Sequence, residues 1–277
     1  MLVGTERMRD TEKIGKGDGR SREWSPLRTI TSGGFTGQGF VKPLSRYSLC
    51  HGPCASPPSR LTVVRPMIHF SIFGIPVAVQ PFFWVTMALL GGALNPSTMT
   101  PEGLLKVVLF MLGGFISIMV HELGHALTIR HYKLPTSITL QAFGGYATYP
   151  SGRLSRPQNF LVTAGGPAAQ LVLALIAHVL LNRLPQENGI YPFLVDLRWI
   201  SVVWAVLNLL PVLPMDGGQL VNAVLGPAHI RITLWITIIT GVLVGLLALK
   251  VGLFFLAIFL GMFAFQAGQA LREIRGR

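Results

Sequence analysis

Residues 104–130 read LLKVVLFMLGGFISIMVHELGHALTIR. The run exceeds the ~20 mostly apolar residues that cross a bilayer. Between Lys106 and Arg130 its one formally charged side chain is Glu122, with His121 before it and His125 three residues on. A charge at membrane depth costs at least ~2.5 kcal/mol on insertion scales and is a functional candidate by default. This one stretch therefore points to a membrane protein and marks a place in it that anchoring alone does not explain.

The whole chain agrees. Of its 277 residues 51% are hydrophobic and 12% charged, and mean hydropathy is +0.54. A soluble domain carries about 25% charged residues, so too few charges remain to cover a soluble globule. The apolar content excludes general disorder, and two cysteines exclude a disulfide scaffold. A polytopic membrane protein is left.

The net charge of +12 suggests nucleic acid until it is located. Residues 1–66 hold 11 of the 23 Lys/Arg and 5 of the 11 Asp/Glu, so half of the net charge sits there. Their basic residues are scattered among acids with few aromatics, which argues against a nucleic-acid partner. Stretches such as TEKIGKGDGRSR and CASPPSR predict a basic, disordered extension over 1–66. It reads as a cytoplasmic tail, as a transit-like segment opposed by its five acids, or as sequence upstream of a true start at Met67. Cys50-His51-x-x-Cys54 lacks the second ligand pair of a structural zinc site. Residues 67–277 then form the transmembrane domain.

About six spans are expected, in an all-α polytopic fold: 72–94, 104–130, 160–181, 197–213, and a hairpin over 230–267 turning near Lys250. Arg130, Lys133, Arg153 and Arg156 after the second span, and Arg272, Arg275 and Arg277 at the end, place those regions and both termini on the cytoplasmic side. Residues 136–149, TSITLQAFGGYATY, predict a small membrane-associated β-hairpin with a Gly144-Gly145 turn. Its edge would hold an extended substrate by strand addition. The alternative is an ordinary cytoplasmic loop.

Residues 67–277 contain only six acids. Glu102, Glu187, Asp196 and Glu273 fall in expected loops or the C-terminal tail. Glu122 and Asp216 fall in apolar surroundings. On a helix His121 and His125 project from one face, one turn apart. The H-E-x-x-H spacing offers two imidazoles to a zinc ion, with the glutamate in reach of a water. A polar patch lining a cavity is the competing reading. Catalytic zinc takes three protein ligands and keeps one position open. His178 is mid-span, and His69, His131 and His229 lie at span edges. Asp216 is the better candidate, because Pro211, Pro214, Gly217 and Gly218 around it break the helix. Irregular backbone at membrane depth is tolerated only inside protein or beside water.

These residues resemble the site-2 proteases, zinc metalloproteases that cut within membranes. The likeness is carried by His121-Glu122-Leu123-Gly124-His125 and by Asn208-Leu209-Leu210-Pro211-Val212-Leu213-Pro214-Met215-Asp216-Gly217-Gly218. Gly144-Gly145, Ala164-Gly165-Gly166-Pro167 and the opening FGIPVAVQPFFW add to it. The Asn-to-Asp motif is the stretched version of the familiar Asn-Pro-x-x-Asp-Gly. The resemblance covers 67–277 and implies the compact type, without an inserted PDZ-like domain. It implies one Zn2+ held by His121, His125 and Asp216, with Glu122 as general base. It implies that Asn208, Gly144 and Gly145 position substrate, a membrane-anchored protein cut in or near its transmembrane segment. It also implies a multi-pass protein of a bacterial cytoplasmic membrane. The rivals from other classes are a metal transporter, a non-catalytic relative that binds membrane clients, and a purely structural membrane protein.

Overall fold

The computed structural model describes residues 67–150 and 152–275. The expectations for residues 1–66, including Cys50 and Cys54, lie outside them. The elements are β1 (Ile68–Ile72), β2 (Ile75–Val79), α1 (Pro81–Leu90), α2 (Pro101–His131), β3 (Ser137–Gln141), β4 (Gly144–Thr148), α3 (Arg156–Leu181), α4 (Tyr191–Asn208), α5 (Asp216–Leu225), α6 (Ile230–Lys250) and α7 (Phe254–Arg275). The fold is mainly helical with one small sheet.

The first expected span, 72–94, is corrected. Its residues form the β1–β2 hairpin and the ten-residue helix α1. Ten residues reach only about 15 Å, half of a hydrocarbon core. The reason is legible in IPVAV: Ile75, Val77 and Val79 are buried while Pro76 and Ala78 are not, which is the two-residue period of a strand. Pro81 then starts α1 at a position where its missing N–H costs nothing.

The strands form one sheet in the order β1-β2-β3-β4. β2 and β3 run parallel, with Val77 opposite Ile138 and Val79 opposite Leu140. A parallel pair needs a long crossover, supplied here by α1 and α2. Ile75, Val77, Val79, Ile138 and Leu140 bury one face against Phe83, Met87, Ile118, Met119 and Ala126 of α1 and α2. The expected hairpin is present as β3 and β4, joined to a larger sheet. Its turn is Ala142-Phe143, and Gly144 and Gly145 open β4 instead.

Among the described residues four helices are long and apolar enough to cross a membrane: α2, α3, α7, and α6 extended back to Pro227. α2 has 31 residues, about 46 Å. The Thr100 hydroxyl accepts from Gly103 N at 3.1 Å to cap its start. Glu102 lies in its first turn and Arg130 and His131 in its last, as the helix dipole favours. The turn expected near Lys250 is observed, with α6 ending there and α7 starting at Phe254. Gly241 and Gly245 of α6 face Leu260, Ala264 and Ala257 of α7, so the G-x-x-x-G pair packs within the chain. The expected fourth span, 197–213, is corrected: α4 ends at Asn208, 209–215 is irregular, and α4 is not among the four helices long and apolar enough to cross.

Candidate metal centre

α2 carries His121 and His125 on one face, and α5 begins at Asp216. The helices bring His121 Nε2 to 3.0 Å and His125 Nε2 to 3.4 Å from the same oxygen, Asp216 Oδ2. The two Nε2 atoms are 3.1 Å apart. His121 and Asp216 are 4% and 9% exposed, so water does not solvate the cluster freely.

The second nitrogen of each ring is occupied. His121 Nδ1 faces Gln170 Oε1 at 2.9 Å, and His125 Nδ1 faces Val162 O at 2.8 Å. A carbonyl oxygen only accepts, so each Nδ1 carries the proton and each Nε2 presents a lone pair. Two lone pairs and a carboxylate oxygen converging without a proton to share would repel one another. A cation removes the conflict. Zinc–nitrogen bonds of about 2.0–2.1 Å put tetrahedral neighbours ~3.3 Å apart, close to the three edges seen here. The donor set fits zinc.

Asp216 is placed by a short irregular segment held by several backbone hydrogen bonds. Leu213 N donates to Thr237 Oγ1 of α6 at 3.1 Å, Met215 N to Val212 O at 2.8 Å, and Gln219 Nε2 to Pro214 O at 2.9 Å. The glycines after Asp216 are needed for close approach. A Cβ at Gly217 would lie 2.1 Å from Leu209 O, and one at Gly218 2.5 Å from Leu213 N. At the other end of α5, Arg156 of α3 donates to Ala223 O and Val224 O.

Small residues also admit α3. A Cβ at Gly124 would come within 2.2 Å of Gly165 O, and one at Gly166 within 2.2 Å of His125 Nε2. The Ala164–Pro167 stretch therefore brings α3 directly against the second histidine.

Glu122 is 4% exposed, and its Oε2 has no hydrogen-bond partner among the described residues. Gly145 lies against its side chain. Tyr149, just past β4, donates to Asn159 Oδ1 of α3 at 3.2 Å, and partial burial pushes its phenol pKa up.

The structure thus brings His121, Glu122, His125, Asp216 and Gly145 together. Gly144 stands at the start of β4 with φ +131°. Asn208 ends α4, half-buried, eight residues before Asp216. His178 points away from the cluster's chemistry, in contact with Arg198 and Asn182. Sequence reasoning missed Gln170, Ser117, Ser201 and Thr237. Gln170 had a signal, being an amide in the middle of an apolar span. The hydroxyl residues had none, because they are ordinary in membrane helices.

Fold and site together define a membrane protein with a metallopeptidase-type centre. Residues 182–249 match the family model for Peptidase family M50; this stretch contains Asp216 but not His121 or His125. A Synechocystis sp. protein whose name assigns it to the zinc metalloproteases is 31% identical over 165 residues, 56% of this chain and 42% of that protein. A zinc metalloprotease of Methanocaldococcus jannaschii is 25% identical over 58% of this chain and 45% of its own length. Stage IV sporulation protein FB of Bacillus subtilis is 28% identical over 52% and 46%. The chain spans less than half the length of these relatives. The solved site-2 protease from Methanocaldococcus jannaschii has the same fold, with TM-score 0.53 and 23% identity over 73% of this chain and 95% of that one. The resemblance to the site-2 proteases, peptidase family M50, is borne out.

Proposed function

We propose that the chain is an intramembrane zinc metalloendopeptidase acting in regulated intramembrane proteolysis. Its substrate is a membrane-anchored protein, cut in or near the transmembrane segment. One observation carries the reading: His121, His125 and Asp216 converge within 4.8 Å of one another, and Glu122 directly follows the first histidine in sequence.

His121, His125 and Asp216 would hold the metal. When bound, zinc supplies Lewis acidity, activating water and polarising the scissile carbonyl. Glu122 takes the proton of the attacking water and delivers it to the leaving amine. Its Oε2, without a donor among the described residues, is available for that proton. β4 is an outer strand of the sheet, so an extended substrate can pair along it. Gly145 keeps that strand against Glu122. A helical substrate must unwind first, because its peptide bonds are hydrogen-bonded and shielded. Asn208 and Gly144 position the substrate.

In this reading six crossings remain, with both termini cytoplasmic in a bacterial cytoplasmic membrane. In it the first crossing is composite, with the sheet packed on Met119 and Ala126 of α2 and α1 ending beside Phe110, nearer the start of α2. α4 is the fourth, with Asp196 and Arg198 toward its outer end.

The test is Glu122→Gln in purified protein. It should hold about one zinc and lose cleavage of a transmembrane substrate. Retained cleavage would falsify the general-base role. Zinc flux into proteoliposomes at wild-type level without cleavage would favour a transporter.

A further inference from the structure

Both histidines need their Nδ1 proton held if Nε2 is to bind metal, but they are held differently. His125 faces the backbone carbonyl of Val162, which can do nothing but accept. His121 faces Gln170, whose amide offers an acceptor or, turned by half a revolution, a donor. With the donor turned toward it, His121 would take its proton on Nε2 and aim an N–H at the metal position.

We propose that Gln170 is a positioning residue that fixes His121 in its metal-binding tautomer, and that Ser117 and Ser201 fix Gln170. This deepens the zinc-centre reading and rests on it. Gln170 is fully buried in α3. One end of its amide lies 2.8 Å from Ser117 Oγ and 3.5 Å from Ser117 O. The second contact is weak as a bond but decisive for orientation. A carbonyl oxygen there would face another carbonyl oxygen, so the NH2 must occupy that end. The amide oxygen is then left for His121 Nδ1, at 2.9 Å. Ser201 Oγ of α4 donates to Ser117 Oγ at 2.9 Å. A polar chain thus runs from α4 through α2 and α3 to a metal ligand, with its direction set by a backbone carbonyl one helical turn before His121. Each member is fully buried, or nearly so, so water cannot substitute for a missing link.

The experiment uses the full chain in detergent and measures zinc affinity by competition with a chromophoric chelator. Thermal unfolding is followed with zinc and after zinc is stripped. Gln170→Leu keeps the bulk and removes the acceptor. It should bind zinc 10–100-fold more weakly, and its unfolding midpoint should fall further below wild type with zinc than after zinc is stripped. Gln170→Met carries the same prediction if the leucine variant does not fold. Gln170→Glu, whose protonated carboxyl reproduces both acceptor and donor, should bind zinc within a few-fold of wild type. Wild-type affinity in the leucine or methionine variant overturns the proposal. So does equal loss of stability with and without zinc, or a glutamate variant as weak as leucine. A wild-type protein that binds no zinc overturns the metal-centre reading itself.

Discussion

Gly145 and Glu122 are in contact across the β4–α2 interface: a Cβ built on Gly145 would lie 2.6 Å from Glu122 Cγ and 2.8 Å from Glu122 Cδ. The sequence suggests that the Gly-Gly pair makes a turn. Only Gly144 has a backbone angle that favours glycine. Gly145 is small for another reason, which is to let a strand edge lie on a buried carboxylate.

Gly145→Ala follows directly. The methyl must push Glu122 aside, since Leu140 Cδ2 crowds the same position at 2.7 Å. Zinc content should stay near wild type because no ligand moves. Cleavage should fall by roughly 100-fold, the cost of about 1 Å of misplacement at a reacting group. Metal analysis beside a cleavage assay decides it. A large loss of zinc would mean that β4 supports the ligands rather than Glu122.

Thr237 tests how Asp216 is held. It donates to Thr233 O at 3.0 Å and accepts from Leu213 N at 3.1 Å. Thr237→Val keeps the shape and strands a buried N–H, at a cost of about 1–3 kcal/mol. The unfolding midpoint should fall even without zinc. Zinc affinity should fall as well, because Leu213 belongs to the segment that delivers Asp216. An unchanged affinity would show that α5 is held by its glycine contacts and Arg156 alone.

The metal cluster was legible because acids are scarce. Glu122 and Asp216 are the buried acids among the described residues, where Glu102, Glu187 and Glu273 are exposed and Asp196, expected in a loop, lies half-buried in α4. The pattern of prolines and glycines around Asp216 correctly predicted a break in the helix. It did not reveal what the break packs against, since Thr237 lies more than twenty residues further on. The first span was misread because overall hydropathy outweighed the alternation in IPVAV. A half-buried strand and a lipid-facing segment have similar composition, and period separates them. The β2–β3 pairing joins segments separated by the whole of α2, and no local signal marks it. Gln170 carries no charge to set it apart in an apolar span, although a buried amide also demands partners.

The G-x-x-x-G pair in α6 gives a prediction about assembly. Gly241 already approaches Leu260 O and Ala264 Cβ, with 3.2 Å and 3.3 Å available to an added Cβ. Gly241→Leu overpacks the α6–α7 seam, which costs about 1–3 kcal/mol. Thermal unfolding should register that loss while the oligomeric state in detergent is unchanged. A shift in oligomeric state with no loss of stability would place the seam between subunits instead.

Metal removal and Asp216 should report the same free energy. A chelator should lower the unfolding midpoint of wild type, because zinc at 1,000 times its Kd adds about 4 kcal/mol to the folded state. Asp216→Asn replaces a carboxylate by a neutral amide of the same shape, so the zinc-free midpoint should change little. The increment from added zinc should nearly vanish, because the surviving pair of imidazoles lacks the charge that neutralises the ion. Asp196→Asn, which removes an acid of α4 outside the cluster, should keep the full increment. If both variants keep it, the third ligand is not Asp216. If both lose it, the effect is global and the scarcity of acids has misled the assignment.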